Sequence, residues 1–193
     1  YARMNPGTQL GRGLCLVIDN CSAGREIGAY LLDQGHRRLG YITGPSSHFA
    51  HTGRLDGLRE ALAQVPGATL MVAQGAFTFT SGQSAGGELL DAPSPPSAIF
   101  AANNDMAAGV LAAAFERGLS VPGQLSIFCF GGLLISQSTW PRISTVSQPT
   151  IAMARLASDT LIAATLEDKR LEGRTVRIAY ELKIRQSVAP VCS

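Results

Sequence analysis

Short apolar runs alternate with amphipathic helical patterns along this chain, at a spacing of roughly 30 residues. That alternation restricts the fold more than any other feature. Residues 14–18 form a continuous apolar run, as a strand buried on both faces requires. Residues 22–34 place Ile27, Tyr30 and Leu31 at i, i+3 and i+4, and Gly35 supplies the stop. The pattern predicts further strands over 39–43, 69–73, 98–102, 125–130 and 177–184. It predicts further helices over 50–64, 81–90, 104–117 and 150–167. An Asn/Asp cluster caps the helix at 104–117, and Gly118 closes it. Units of this length join parallel strands by right-handed crossovers. The expected fold is α/β, a parallel sheet flanked by helices. Ligands of such sheets bind beyond the carboxyl ends of the strands, so function is sought there.

Composition narrows the function classes. Hydrophobic residues make up 46% of the 193 and charged residues 16%, which excludes a disordered tail. The net charge of +2 excludes a basic nucleic-acid-binding body within these residues. The longest apolar run, 106–115, falls short of the ~18 residues of a membrane span and reads as a core helix. No signal-peptide pattern opens the chain, which starts at Tyr1 rather than Met, so an upstream segment is expected. The cysteines at 15, 21, 129 and 192 form no zinc or redox motif and read as reduced, mostly buried thiols.

The predicted strand ends carry a distinct chemistry. The first ends in Asp19-Asn20 and the second in Gly44-Pro45-Ser46-Ser47, with Arg54 early in the next helix. The third is followed by Gly75-Ala76-Phe77-Thr78-Phe79, the fourth by Asn103-Asn104-Asp105, and the fifth by Gly131-Gly132. One arginine, amides, aromatics and small residues suit a neutral or weakly anionic polar ligand. Amides pair with hydroxyls, an aromatic covers a ring face, and Arg54 offers two parallel hydrogen bonds. Plainer roles stay open at this point: Asn103 as a helix cap, Phe77 as core, Arg54 as a surface charge. Catalytic constellations are thin. His48 and His51 have no acidic or thiol partner nearby in sequence, and no nucleophile elbow or complete phosphate loop occurs. Neither an enzyme nor a cofactor or metal site is expected.

Several stretches in order carry a family likeness. They are Asp19-Asn20 with Gly24; Leu32 to Gly44, containing Gly35-His36-Arg37-Arg38-Leu39-Gly40; Arg54-Leu55-Asp56-Gly57; and Ala98 to Gly109 around Asn103-Asn104-Asp105-Met106. To these add Gly118 to Pro122, Pro141 to Pro149 and Leu182 to Ser187. Together they resemble the effector-binding region of LacI/GalR-type bacterial transcription regulators, over nearly the whole chain. The resemblance implies a type I periplasmic-binding-protein-like fold: two α/β lobes around an effector cleft, joined by three crossovers. It places these near 18–20, 146–148 and 177–180, with Asp19, Asn20, Ser147 and Gln148 as hinge residues. Residues 20–147 and 179–193 would form a nearly complete headpiece-distal lobe. Residues 1–18 and 149–175 would form part of the proximal lobe, with the DNA-binding headpiece absent.

Carried over by position, the resemblance implies effector contacts at Arg54, Phe77, Asn103, Asn104 and Gly131. Three positions depart from the pattern. Asn104 stands where the family usually has Asp. Gly131 stands where it has an Asp that accepts from the ligand. Ala50 stands where some members have Ser or Thr. Loss of the acceptor at Gly131 beside a retained Arg54 makes the site more positive, so an acidic metabolite is expected to suit it better than a neutral sugar. A homodimer is expected through the small-residue helix at Ala107, Val110, Leu111 and Ala114. The implied function is the effector-sensing and dimerising part of a cytoplasmic repressor. Its partners would be a small-molecule effector, a second copy and, through the headpiece alone, operator DNA, with no membrane contact. The alternative is a periplasmic-type sugar-binding protein, which a signal peptide upstream would favour.

Overall fold

The computed structural model describes residues 1–4, 13–46, 50–132, 134–167 and 173–191. Two sheets emerge from the alternation. Strands β1 (Ala2–Met4), β2 (Leu14–Val17) and β8 (Arg174–Arg177) form a parallel three-stranded sheet in the order β1-β2-β8. Strands β3 (Arg38–Thr43), β4 (Thr69–Gln74), β5 (Ala98–Ala101), β6 (Ser126–Gly131), β7 (Ser144–Ser147) and β9 (Glu181–Lys183) form the second. Its order is β4-β3-β5-β6-β7-β9, and β9 alone runs antiparallel, against β7. The helices are α1 (Asn20–Asp33), α2 (Ala50–Leu62), α3 (Phe79–Leu90), α4 (Asn104–Glu116), the short α5 (Ile135–Ser138) and α6 (Thr150–Leu166).

Register aligns the aromatic core of the larger sheet. Tyr41 pairs with Phe100, and Phe100 with Phe128. Tyr41 and Phe100 stack at 4.9 Å, and Phe128 meets Phe100 edge-on at 6.4 Å. Tyr30 of α1 closes on Phe128 at 6.2 Å, and the Tyr41 hydroxyl donates to the His51 carbonyl of α2, so both helices cover this face. Helices α1 and α2 touch through glycine. A Cβ on Gly57 would lie 1.9 Å from the Cys21 carbonyl oxygen, so only the missing side chain permits the approach. The α3–α4 pair covers the other face with Leu89 and Val110. At the amino ends of the strands, buried His36 joins Ser97 Oγ (2.8 Å) and Ser126 Oγ (3.0 Å), and Ser126 Oγ accepts from the Ala189 amide. The histidine of the Gly-His-Arg-Arg stretch is therefore a structural tie on the side of the sheet away from the strand ends.

Three features depart from the sequence reading. The run predicted as one strand over 177–184 is divided: β8 belongs to the small sheet, and β9 to the large one after a passage at 178–180. Helix α3 begins two residues earlier than predicted, because Thr78 caps it and exchanges hydrogen bonds with Ser81. Strands β1 and β7 and helix α5 were not predicted; three- and four-residue elements carry too little periodicity to be read. The chain passes between the sheets at three places: after β2, after β7 and after β8. The first and third run side by side, with Ile178 N–H donating to the Val17 carbonyl and Asp19 3.7 Å from Arg177.

Candidate effector cleft

The carboxyl ends of β3, β5 and β6 converge on Arg54. This residue is only 7% exposed, because α2 tips its side chain inward over the sheet. Nε donates to Asn20 Oδ1 (2.9 Å) and Nη1 to the Ala102 carbonyl (2.8 Å). The guanidinium lies over the Phe130 ring, 3.5 Å from its centroid. Desolvation pulls its pKa down to about 10, against a small opposing pull from the Tyr41 phenol, so it stays charged at neutral pH. Neither hydrogen bond goes to a carboxylate, and none of the ion pairs among the described residues includes Arg54. The surface-charge reading of Arg54 is thereby replaced by a buried cation at the strand ends.

Asn103 and Phe77 are brought to the same end of the sheet. Asn103 Oδ1 accepts from the Met106 amide, which caps α4, while its Nδ2 donates to the Phe77 carbonyl. One side chain thus does the capping that sequence allowed and also pins the loop after β4. Phe77 is half-buried, and it is the one non-glycine among the described residues with positive φ, at 60°. Its ring lies against the backbone at Gly44 and packs on the core. Such a conformation costs of order 1 kcal/mol or more and persists because the loop is held at both ends.

The Asn104 side chain is 2% exposed and hydrogen-bonded within the lobe. Nδ2 donates to the Phe130 carbonyl, and Oδ1 accepts from the Gly132 amide (3.1 Å) and the Cys129 thiol (3.4 Å). That thiol is pushed up to about 12 by burial, so it remains protonated. The two positions that depart from the family pattern lie side by side. Gly131 sits at φ 131°, and a Cβ there would lie 2.4 Å from Asn104 Nδ2. The positive φ strains any side chain at 131, and one placed there would require the Asn104 amide to move.

Beside Gly131 opens a cleft of about 580 Å³. Gly131, Gly132 and Leu134 form one wall; Gln148, Thr150 and Arg155 contribute to the other. Arg155 is the one charged residue on the described part of the wall. Helix α6 begins there with Pro149 at its N-cap and no side-chain cap. Of the expected contacts only Gly131 lines this cleft; Arg54, Phe77 and Asn103 lie behind Phe130 and on the adjoining strand ends. Sequence reasoning missed Phe130 and Arg155. Phe130 was legible as the last large residue of an apolar strand; nothing marked Arg155, because its partner wall comes from a distant stretch. Of the expected hinge residues, Ser147 pairs with Gly131 across β6 and β7, Gln148 lines the cleft, and Asn20 holds Arg54 while donating to the Ile18 carbonyl. Asp19 caps α1 through the Ser22 amide, the main cause of its lowered pKa.

Of the expected dimer contacts, Ala107, Val110 and Ala114 are fully buried within this chain, on the helix packed against α3, and Leu111 is half-buried. Phe115 (84% exposed) and Trp140 (84%) instead flank a groove of about 450 Å³ that also holds Leu111, Val121 and Pro122. Ser47, His48 and Cys192 lie outside the described residues. Among the described residues no cluster of His, Cys, Asp or Glu is arranged to hold a metal, and no helix is long and apolar enough to cross a membrane.

Residues 29–188 match the sequence profile of a family described as the periplasmic binding protein-like domain. The chain is 38% identical over 174 residues to the HTH-type transcriptional repressor CytR of Escherichia coli K12, covering 88% of this chain and 50% of that protein. It is 34% identical over 178 residues to the HTH-type transcriptional repressor PurR of Escherichia coli O139:H28, covering 90% and 51%. The chain therefore spans about half the length of these two repressors. Among solved structures, a complex of the transcriptional regulator CelR with cellobiose superposes with a TM-score of 0.86 at 30% identity, over 97% of this chain and 58% of that one.

Proposed function

Because the chain belongs to the periplasmic binding protein-like family, in its LacI/GalR branch of transcription regulators, we propose that it is the effector-sensing part of a cytoplasmic, non-enzymatic DNA-binding repressor. The observation that carries this reading is the position of Arg54. It is a buried cation at the strand ends, hydrogen-bonded to Asn20 beside the first passage between the two sheets. In this reading the larger sheet with α1–α4 is the distal lobe. The small sheet with α6 belongs to the proximal one. An effector in the cleft contacts β6 on one side and the start of α6 on the other. It favours one angle between the lobes only through its different affinity for the two arrangements. The three passages transmit that angle to a DNA-binding headpiece outside these residues.

Phe115, Trp140 and Leu111 would form the surface on which two copies meet, in place of the buried alanines. Trp140→Glu in the full-length protein is expected to raise the dimer dissociation constant at least ~100-fold by sedimentation, since central aromatics dominate such contacts. The function itself is tested by selecting genomic DNA with the full-length protein. The reading expects a small set of near-palindromic sites, and no sequence-specific binding by residues 1–193 alone. A salt-sensitive, sequence-specific shift with residues 1–193 would overturn the division of labour. Absence of any site for the full-length protein would overturn the regulator reading.

A further inference from the structure

The third passage between the two sheets is bonded to both of the others. Ile178 N–H donates at 2.8 Å to the carbonyl of Val17, the last residue of β2 before the first passage. Glu181 pairs with Ser147, the last residue of β7 before the second. Ala179 and Tyr180 lie between these two anchors. There the Tyr180 hydroxyl donates to Glu26 Oε1 of α1 at 2.8 Å. Tyr180 is half-buried and packed on the core, Glu26 is exposed, and neither lines the cleft. Burial, and then the Glu26 carboxylate, pushes the Tyr180 phenol well above its ordinary pKa, so it remains a donor at neutral pH. The neighbouring Arg177–Asp19 pair, at 3.7 Å with Arg177 80% exposed, adds little.

The consequence is geometric. The third passage is held to the small sheet at Ile178 and to α1 at Tyr180. A change of angle between the sheets must therefore turn the backbone at Ala179 or break the Tyr180 bond. Helix α1 also carries Asn20, the partner of Arg54, so this bond and the strand-end cluster share one helix. Resting on the effector-sensing reading above, we propose that Tyr180 is a positioning residue for the effector response: its hydrogen bond to Glu26 anchors the middle passage on α1 and biases the lobes toward the arrangement seen here. A bond made in one arrangement and lost in the other contributes its energy to one state alone, and only such a difference moves a population.

The test uses the full-length protein and operator DNA selected with it, titrated by fluorescence anisotropy without added effector. Tyr180→Phe keeps the ring and removes the donor; Glu26→Ala removes the acceptor. Both are expected to shift operator affinity by about threefold or more, in the same direction. The double variant Tyr180→Phe/Glu26→Ala should add nothing to either single change, because all three lose the same bond. Glu26→Gln keeps an acceptor oxygen and should stay within about twofold of wild type. Arg59→Gln, which breaks an ion pair inside α2, should leave operator affinity unchanged. Amide exchange over 178–181 is expected to quicken in Tyr180→Phe. Faster exchange there with operator affinity at the wild-type value would make the bond a structural tie and overturn the proposal alone. So would additive shifts in the double variant. A wild type that binds no operator overturns the effector-sensing reading and this proposal with it.

Discussion

The larger sheet buries its own apolar surface, whereas the helix beside the small sheet does not. On the large sheet, Tyr41, Phe100 and Phe128 are at most 1% exposed and packed in one register-matched stack. On α6, Met153 is the one fully buried residue, while Ile151 (74%), Ile162 (58%) and Leu166 (82%) face outward. Apolar residues occur around the whole helix, as in helices covered on several sides. The lesson is that one region is a finished packing unit. The other presents a surface that belongs against something else, in our reading the rest of a proximal lobe.

The largest expected effect tests the finished unit. Phe100→Ala removes the middle ring of the stack and should cost about 3–5 kcal/mol in urea unfolding. A loss near 1 kcal/mol would mean that the stack is not the centre of the core. Gly57→Ala comes next, at about 1–3 kcal/mol, because the new Cβ meets the Cys21 carbonyl rather than a movable side chain. Full tolerance would show that the α1–α2 crossing is looser than described.

His36 gives a pH-dependent effect. Burial holds its pKa below the ordinary 6.5, opposed by the hydrogen bond with the Ala189 backbone. As pH falls, the unfolded chain therefore takes the proton first. Its contribution is complete above about pH 6.5 and is lost as pH drops toward the folded value. Thermal melting between pH 7.5 and 5 should fall more steeply for the wild type than for His36→Gln; identical slopes would remove His36 as the cause. The smallest effect belongs to α6. Ile162→Ala should change the stability of residues 1–193 by no more than about 0.5 kcal/mol. In the full-length protein Ile162→Asp should be markedly destabilising, and an unaffected full-length protein would erase the contrast between the two regions.

Much of this was legible in sequence. The alternation gave β3 to β6 of the large sheet because each is long enough, or apolar enough, to show its period, whereas β7, a four-residue strand of mixed polarity, was not read. The passage between sheets inside 177–184 was expected from the resemblance, but its break into two strands was not visible in a run of mixed polarity. Arg54, Phe77 and Asn103 were legible because they sit just beyond strand ends. Their partners were not. That Arg54 lies on Phe130, and that the Asn104 amide lies beside position 131, are facts of side-chain direction across distant strands. A stripe of alanines reads equally as a partner surface and as a tight seat for α3, and only burial distinguishes them.

The most direct test of the account compares the full-length protein with its Arg54→Met variant, measuring operator occupancy in cells moved through a panel of carbon and nucleoside sources. The account predicts that wild-type occupancy changes with at least one source. The variant, folded and bound to the same sites, should stay at one level throughout. A variant that responds as the wild type does would contradict the claim that the strand-end cluster around Arg54 senses the effector.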